Sequence, residues 1–199
     1  MISPLTLNLP HGVLAIEPIA PLAELEAEAT PAELQSVEKF SAPARRAERL
    51  AWRRTLRRLA GKECEISYSE QGAPQLKNCT YQHISVSHCA DCVAVMLSDQ
   101  PCGIDIERTE RNYERIAKRY ATEQERSLSA EETSLAAIWC AKEALYKMQG
   151  REGVDFLRDM EIISLDMQGG EMSARLGDNQ IVQLAIIQPD SQHILVYTK

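Results

Sequence analysis

The chain has 199 residues, a formal net charge of −7 and 44% hydrophobic residues. This length suits one domain or two small lobes, and no apolar run reaches the roughly 18 residues that a membrane-spanning helix needs. The first residues lack a basic stretch followed by an apolar block, so we predict no signal peptide and a cytoplasmic protein without a membrane partner. We expect a monomer, and the acidic balance argues against nucleic acid as a partner.

The first sixty residues predict short strands followed by helices. Residues 1–20 are typical of strand pieces broken by prolines. Thr30 is a good N-cap with Pro31 at the first helical position, and a second helix is predicted after Pro43 and ends at Gly61. This second helix carries a dense set of arginines, namely Arg45, Arg46, Arg49, Arg53, Arg54, Arg57 and Arg58.

The arginine-rich helix has two interpretations. Arginine binds phosphate through a forked pair of hydrogen bonds, so the cluster predicts an anionic ligand. The alternative is a solvated helix face that lies beside acidic neighbours. Nucleic acid is disfavoured as that ligand, since the segment has a single aromatic residue, Trp52, and the whole chain is acidic.

The middle of the chain reads as strands. Gly72 and Pro74 mark a turn between two short strands, and an antiparallel meander is predicted from residue 82 onward. Cys89 and Cys92 have the spacing of a zinc or redox pair. A second such pair is missing, so the favoured interpretation is that these cysteines are small buried residues of the strands.

The second half of the chain predicts long helices and then a sheet. Charged helical sequence follows residue 107, with breaks near Thr122 and Ser129, and an amphipathic helix ends near Gly150. The tail alternates in four segments separated by turn residues, which indicates an antiparallel sheet. The predicted fold is therefore α+β with two similar halves, residues 1–102 and 103–199, each an antiparallel sheet with packed helices.

The segment GIDIE, residues 103–107, places two carboxylates on one face of a strand. Ile104 and Ile106 alternate with Asp105 and Glu107, so the isoleucines enter a core and the acids leave from the opposite face. Carboxylates this close repel each other unless something compensates their charge. A bound cation is one such compensation.

A third carboxylate, that of Glu143, lies about 36 residues after Glu107 in the sequence. Glu143 and Lys147 are four residues apart in WCAKEALYK, so they share a helix face. Alone, this pair is the pattern of an ordinary surface ion pair. Together with Asp105 and Glu107, the set has the oxygen donors that Mg²⁺ prefers, and the arginine-rich helix would then hold a phosphorylated ligand.

These motifs resemble the 4'-phosphopantetheinyl transferase superfamily. GIDIE followed by W-x-x-K-E-A-x-x-K, with the segment HISVSH at residues 83–88 upstream, is similar to the larger single-chain, surfactin-type branch. The resemblance implies the fold of that superfamily, with Mg²⁺ as cofactor and coenzyme A as substrate. It also implies the reaction, which is transfer of 4'-phosphopantetheine from coenzyme A to a serine of an acyl or peptidyl carrier protein. It implies metal binding by Asp105, Glu107 and Glu143.

The resemblance also implies catalytic and substrate-binding roles. Glu143 would act as the base, with Lys147 and Lys142 at the leaving phosphate. The residues implied in coenzyme A binding are Ser87, His88, Arg46, Arg49, Arg53, Asp105, Lys142 and Lys147. Two positions depart from the family pattern, because Ala73 replaces a phosphate-contacting lysine and Ser85 replaces an asparagine. A non-catalytic carrier-binding homologue and a metal-dependent phosphohydrolase are the alternative functions.

Overall fold

The computed structural model describes residues 2–69, 72–150, 153–177 and 179–199. The chain divides into two compact units, Met1–Gln100 and Pro101–Lys199. The predicted boundary lay after residue 102. The α+β class with antiparallel sheets and packed helices is confirmed, since each unit has a larger antiparallel sheet and a long helix packed on it.

The first unit is built on a four-stranded antiparallel sheet in the order β1-β2-β6-β5. Its strands are β1 Leu5–Leu9, β2 Gly12–Pro18, β5 His83–His88 and β6 Cys92–Ser98, and a separate hairpin pairs β3 Glu65–Tyr68 with β4 Pro74–Lys77. Strand β6 is buried along its whole length. This burial agrees with its central position and its nearly continuous apolar sequence.

The described part of the first unit contains three helices: α1 Leu22–Glu28, α2 Pro31–Val37 and α3 Pro43–Ala60. Thr30 caps α2 through a capping box with Glu33. Helix α3 ends at Gly61, whose φ of 86° favours glycine. Leu50, Trp52 and other apolar residues of α3 pack on β6 and close the core of this unit. Helix α1 was not predicted.

The second unit contains a five-stranded antiparallel sheet in the order β7-β11-β10-β9-β8. The strands are β7 Ile104–Arg108, β8 Met160–Asp166, β9 Glu171–Leu176, β10 Gln180–Asp190 and β11 His193–Thr198. All four predicted tail strands are present. Strand β7 pairs only with β11 among the described strands, with Asp105 opposite Val196 and Glu107 opposite Ile194.

The helices of the second unit are the short α4 Glu123–Arg126 and the long α5 Ser134–Gln149. Helix α5 packs against both β7 and β11. Ile138, Ala141 and Leu145 are almost fully buried in this interface, and Gly150 ends the helix in the left-handed conformation. The predicted break at Thr122 is the N-cap of α4.

The helix predicted directly after residue 107 is wrong. Residues 109–121 form turns and one 3₁₀ turn, Ala117–Arg119. The side chain of Asn112 accepts a hydrogen bond from the backbone N–H of Arg115, and the Tyr113 hydroxyl donates to the Arg108 carbonyl. These local bonds compete with a regular helix.

Helices long and apolar enough to cross a bilayer do not occur in the described parts of the chain.

Candidate active site on strand β7 and helix α5

Strand β7 separates its apolar and acidic side chains as the alternation predicts. Ile104 and Ile106 are fully buried in the second unit. Asp105 is 5% exposed and Glu107 retains more access to solvent. The two carboxylates are therefore presented on the opposite side of the strand from the isoleucines.

Gly103 allows the start of β7 to lie directly against helix α5. A Cβ atom at this position would lie 1.8 Å from the carbonyl oxygen of Ala144. Its backbone N–H donates to the Thr198 hydroxyl, and the Thr198 N–H donates to its carbonyl. The absent side chain thus sets the distance between the strand that carries Asp105 and the helix that carries Glu143.

Helix α5 contributes Glu143 and Lys147 to the carboxylate face. Lys147 Nζ donates to Asp105 Oδ1 at 2.7 Å and to the Ile104 carbonyl at 3.1 Å. Asp105 and Lys147 thus form an ion pair that joins the strand to the helix. The sequence predicted that these residues share a site, and the structure brings them together.

Glu107 is held by two donors from separate segments. Trp139 Nε1 donates to Glu107 Oε1 at 3.1 Å, and Arg111 Nη1 donates to the same oxygen at 3.0 Å. The Arg111 guanidinium also lies over the Trp139 ring, 5.2 Å from its centroid. These contacts fix the orientation of the carboxylate.

The three carboxylates are close enough to influence one another electrostatically. Burial and the negative charge of Asp105 raise the pKa of Glu107, which the Arg111 charge opposes. Burial raises the pKa of Glu143 as well, and both Asp105 and Glu107 add to the rise. The site therefore concentrates acidic groups that a cation would stabilise in the ionised form.

The donor types of the carboxylate face are those that a hard divalent cation prefers, but within the described residues the three carboxylates do not form a ready-made metal site. Three carboxylates from one strand and one helix supply only oxygen atoms, which is the chemistry of a Mg²⁺ site. Asp105, Glu107 and Glu143 would hold the ion. Lys147 forms an ion pair with Asp105, so a cation bound by Asp105 would compete with this ion pair.

Lys142 is placed differently from the prediction. Its ammonium group is fully buried, and it forms an ion pair with Glu125 at 2.6 Å. It also donates to the carbonyls of Phe156 and Met160, and burial lowers its pKa. The structure does not bring Lys142 to the carboxylate face. Glu125 in turn accepts bonds from the backbone of Thr122 and Ile162.

An aromatic group adjoins Glu107 and was missed from the sequence. Tyr120 packs edge-to-face on Trp139 at 5.1 Å between ring centroids, and Phe156 lies 6.0 Å from Trp139 and 6.1 Å from Tyr146. Tyr146 is partly exposed. These residues come from three separate segments, so sequence spacing gives no sign of their proximity.

In the first unit, Ser87 and His88 lie at the end of strand β5. Ser87 is buried, and His88 is more exposed. His88 Nε2 lies 3.0 Å from Arg45 Nη1 and 3.7 Å from Glu48 Oε2. Arg45 was not singled out among the arginines, because helical spacing alone could not show which of them faces β5.

The arginines chosen from the sequence mostly have partners inside the first unit. Arg46 pairs with Glu26, and Arg49 lies over the Phe40 ring. Arg53 is 6% exposed and donates to the Tyr68 hydroxyl at 2.6 Å; burial lowers its pKa. Acidic residues likewise pair with Arg54, Arg57 and Arg58. This arrangement favours the interpretation of a helix face beside acidic neighbours for most of the cluster.

Replacing Gly103 by alanine should disrupt the carboxylate face. Since the new Cβ would overlap the Ala144 carbonyl, strand and helix must separate, and overpacking of this kind costs about 1–3 kcal/mol or more of unfolding free energy. Gly150→Ala, at the C-terminal cap of α5, is the matched control for helix destabilisation alone. Chemical denaturation measures both, and a Gly103→Ala protein as stable as wild type would contradict the close approach.

Residues 101–195 match the family model of the 4'-phosphopantetheinyl transferase superfamily. This match agrees with the predicted family over the segment that contains the whole carboxylate face. The match begins two residues before GIDIE and ends inside β11.

Individual relatives support the same family. The chain is 35% identical over 115 residues to the 4'-phosphopantetheinyl transferase AcpT of Salmonella typhi. This alignment covers 53% of this chain and 60% of that protein. The chain is 34% identical over the same length to AcpT of Salmonella typhimurium. It is 30% identical over 123 residues to the 4'-phosphopantetheinyl transferase Sfp of Bacillus subtilis, which covers 59% of this chain and 54% of that protein. The chain thus spans less than two thirds of the length of these curated relatives.

Proposed function

We propose that the protein transfers 4'-phosphopantetheine from coenzyme A to a serine hydroxyl of an acyl or peptidyl carrier protein. The observation that carries the proposal is the gathering of Asp105, Glu107, Glu143 and Lys147 on β7 and α5, within the segment that matches the superfamily. The names of the similar proteins support the same reaction.

The proposed reaction is a displacement at phosphorus. The serine oxygen forms a bond to the phosphorus that carries the pantetheine arm, and the bond from that phosphorus to the nucleotide half of the pyrophosphate breaks. Adenosine 3',5'-bisphosphate leaves. A bound Mg²⁺ would supply neutralisation of the charge on the pyrophosphate oxygens.

The residues of the carboxylate face have separate roles in this proposal. Glu143 accepts the serine proton, directly or through a water, and its raised pKa makes it a better acceptor. Lys147 stabilises the charge on the leaving phosphate. Asp105 and Glu107, together with Glu143, would hold the metal, and Trp139 with Arg111 keeps Glu107 oriented. Lys142, predicted to assist at the phosphate, is assigned instead to the support of α5 by its burial.

The first unit is proposed to bind the nucleotide of coenzyme A. Ser87 and His88 remain the predicted contacts, and Arg45 joins them because its guanidinium lies beside the His88 ring. Arg46 and Arg53 would have to exchange an existing partner, Glu26 or Tyr68, for a phosphate. Arg45 also has a partner, Glu48, but only Arg45 of these three lies beside His88, the predicted nucleotide contact, so it is a better candidate for a phosphate contact.

Arg45→Ala should weaken coenzyme A binding. A charge-assisted hydrogen bond to phosphate contributes about 1.5–3 kcal/mol, so KM for coenzyme A should rise about ten-fold or more while KM for the carrier changes little. Arg58→Ala is the control, because Arg58 lies on the same helix and pairs with Glu17. Steady-state kinetics measures both variants, and equal KM values for wild type and Arg45→Ala would remove Arg45 from the site.

One incubation tests the proposed reaction against its alternatives. Purified protein, coenzyme A, Mg²⁺ and an apo carrier protein are combined, and the intact mass of the carrier is measured. A gain equal to one phosphopantetheine arm supports transfer. Release of the bisphosphate without that gain supports a phosphohydrolase, and no product with a panel of apo carriers supports a non-catalytic homologue.

A further inference from the structure

The turn between β5 and β6 gathers two thiols and a carboxylate that the proposed function does not use. The Cys89 N–H donates to the Cys92 carbonyl at 3.0 Å across this tight turn. The two sulfur atoms are 3.2 Å apart, and Cys89 Sγ lies 3.4 Å from Asp91 Oδ1. The ligand atoms of all three residues lie within 4.8 Å of one another.

The spacing of these donors is close to that of a tetrahedral metal site. Zn–S and Zn–O bonds of about 2.3 and 2.0 Å place two sulfurs about 3.8 Å apart and a sulfur and an oxygen about 3.5 Å apart. The Cys89–Asp91 separation matches this value, and the two sulfurs need to part by only about half an ångström. A disulfide would instead require the sulfurs to close to about 2.05 Å.

The backbone holds the donors in place without a metal. Strands β5 and β6 pair directly up to the turn, with His88 opposite Val93. The Asp91 carbonyl accepts a bond from the N–H of Ile19, which anchors the turn to the end of β2. Cys92 is fully buried and Cys89 is 9% exposed. The donors therefore belong to a rigid element, as metal sites require.

The electrostatics of the turn also favour a cation. Two thiolates and a carboxylate at these distances would repel each other, and a divalent ion removes that repulsion. Two soft sulfur donors with one oxygen donor select zinc-like ions over magnesium. The sequence argued against zinc because a second cysteine pair was missing, but the structure supplies a third donor from the same turn.

We propose that Cys89, Asp91 and Cys92 bind one thiophilic divalent cation of the zinc class, with the fourth position open to a further donor. Binding displaces the two thiol protons, which pass to solvent. The ion would brace the hairpin that carries Ser87 and His88. This inference is independent of the proposed transfer reaction, and its test uses neither coenzyme A nor a carrier.

Cobalt titration of the full chain, reduced and stripped with a chelator, tests the proposal. Co²⁺ should produce a thiolate-to-cobalt charge-transfer band that saturates at one ion per chain and is displaced by Zn²⁺. Cys89→Ser should weaken binding by at least about 100-fold, since even an outer partner of a metal ligand is worth about 10–100-fold. Asp91→Asn should weaken it less.

Cys79→Ser is the matched control, because Cys79 is a free cysteine of the same unit that lies outside the turn. It should bind cobalt like wild type. The substitutions are made at Cys89 and Asp91 because substitution of the fully buried Cys92 would disturb folding most. Circular dichroism confirms that each variant is folded. The proposal is overturned if the reduced wild type gives no band, if Cys89→Ser binds as tightly as wild type, or if Cys79→Ser abolishes the band.

Discussion

Glu143→Gln should lower turnover of the carrier protein by at least about 10³-fold, because the change removes both a proton acceptor and a metal ligand. The glutamine keeps the shape of the side chain, so α5 should retain its packing against β7 and β11. The rate is measured as holo carrier formed per minute at saturating coenzyme A and Mg²⁺. The loss should appear in kcat, since the proposed role of Glu143 is in the chemical step.

The control for this variant is Glu132→Gln, an exposed glutamate in the loop before α5. It removes one negative charge from the same unit without touching the carboxylate face, and turnover should stay at the wild-type level. If Glu143→Gln kept most of the wild-type rate while remaining folded, Glu143 would be neither the base nor an essential metal ligand.

Lys142→Ala should be the most destabilising single change in the second unit. The buried ammonium group pairs with Glu125, and its loss leaves a buried carboxylate without its cation. Breaking a buried pair in this way costs about 3–5 kcal/mol of unfolding free energy. Denaturant titration followed by circular dichroism measures the loss.

A double variant separates the structural role of Lys142 from the catalytic role that the sequence suggested. Lys142→Met combined with Glu125→Gln removes both charges, and the glutamine oxygen can still accept from the backbone N–H of Ile162, so most of the lost stability should return. We expect the double variant to fold and to retain turnover. A well-folded double variant with no turnover would show instead that the lysine is needed at the phosphate.

The strands, including β7 with its carboxylates, were predictable because the signals for them are local in the sequence. Alternation places Ile104 and Ile106 on one face of β7 and Asp105 on the other, where Asp105 is buried and pairs with Lys147 of α5. The i, i+4 spacing of Glu143 and Lys147 correctly placed both on one helix face. The same geometry argues against Lys142, since adjacent helical residues point about 100° apart.

Other features depend on contacts between segments that are distant in the sequence. The pairing of Arg46 with Glu26 and of Arg53 with Tyr68 arises from packing of α3 against other elements, so the charge cluster alone suggested a ligand site. The segment after residue 107 has helical composition, yet the Asn112 side chain forms a turn there. The aromatic neighbours of Trp139 come from other segments, and no periodicity links them.

Binding of Mg²⁺ tests most directly whether three carboxylates from β7 and α5 hold one ion. Calorimetric titration of the full chain with Mg²⁺, in the presence of coenzyme A, should show one ion per chain for wild type. Asp105→Asn and Glu107→Gln should each abolish the signal, and Glu132→Gln should leave it unchanged. Equal Mg²⁺ binding by wild type and by both carboxylate variants would contradict a shared metal site.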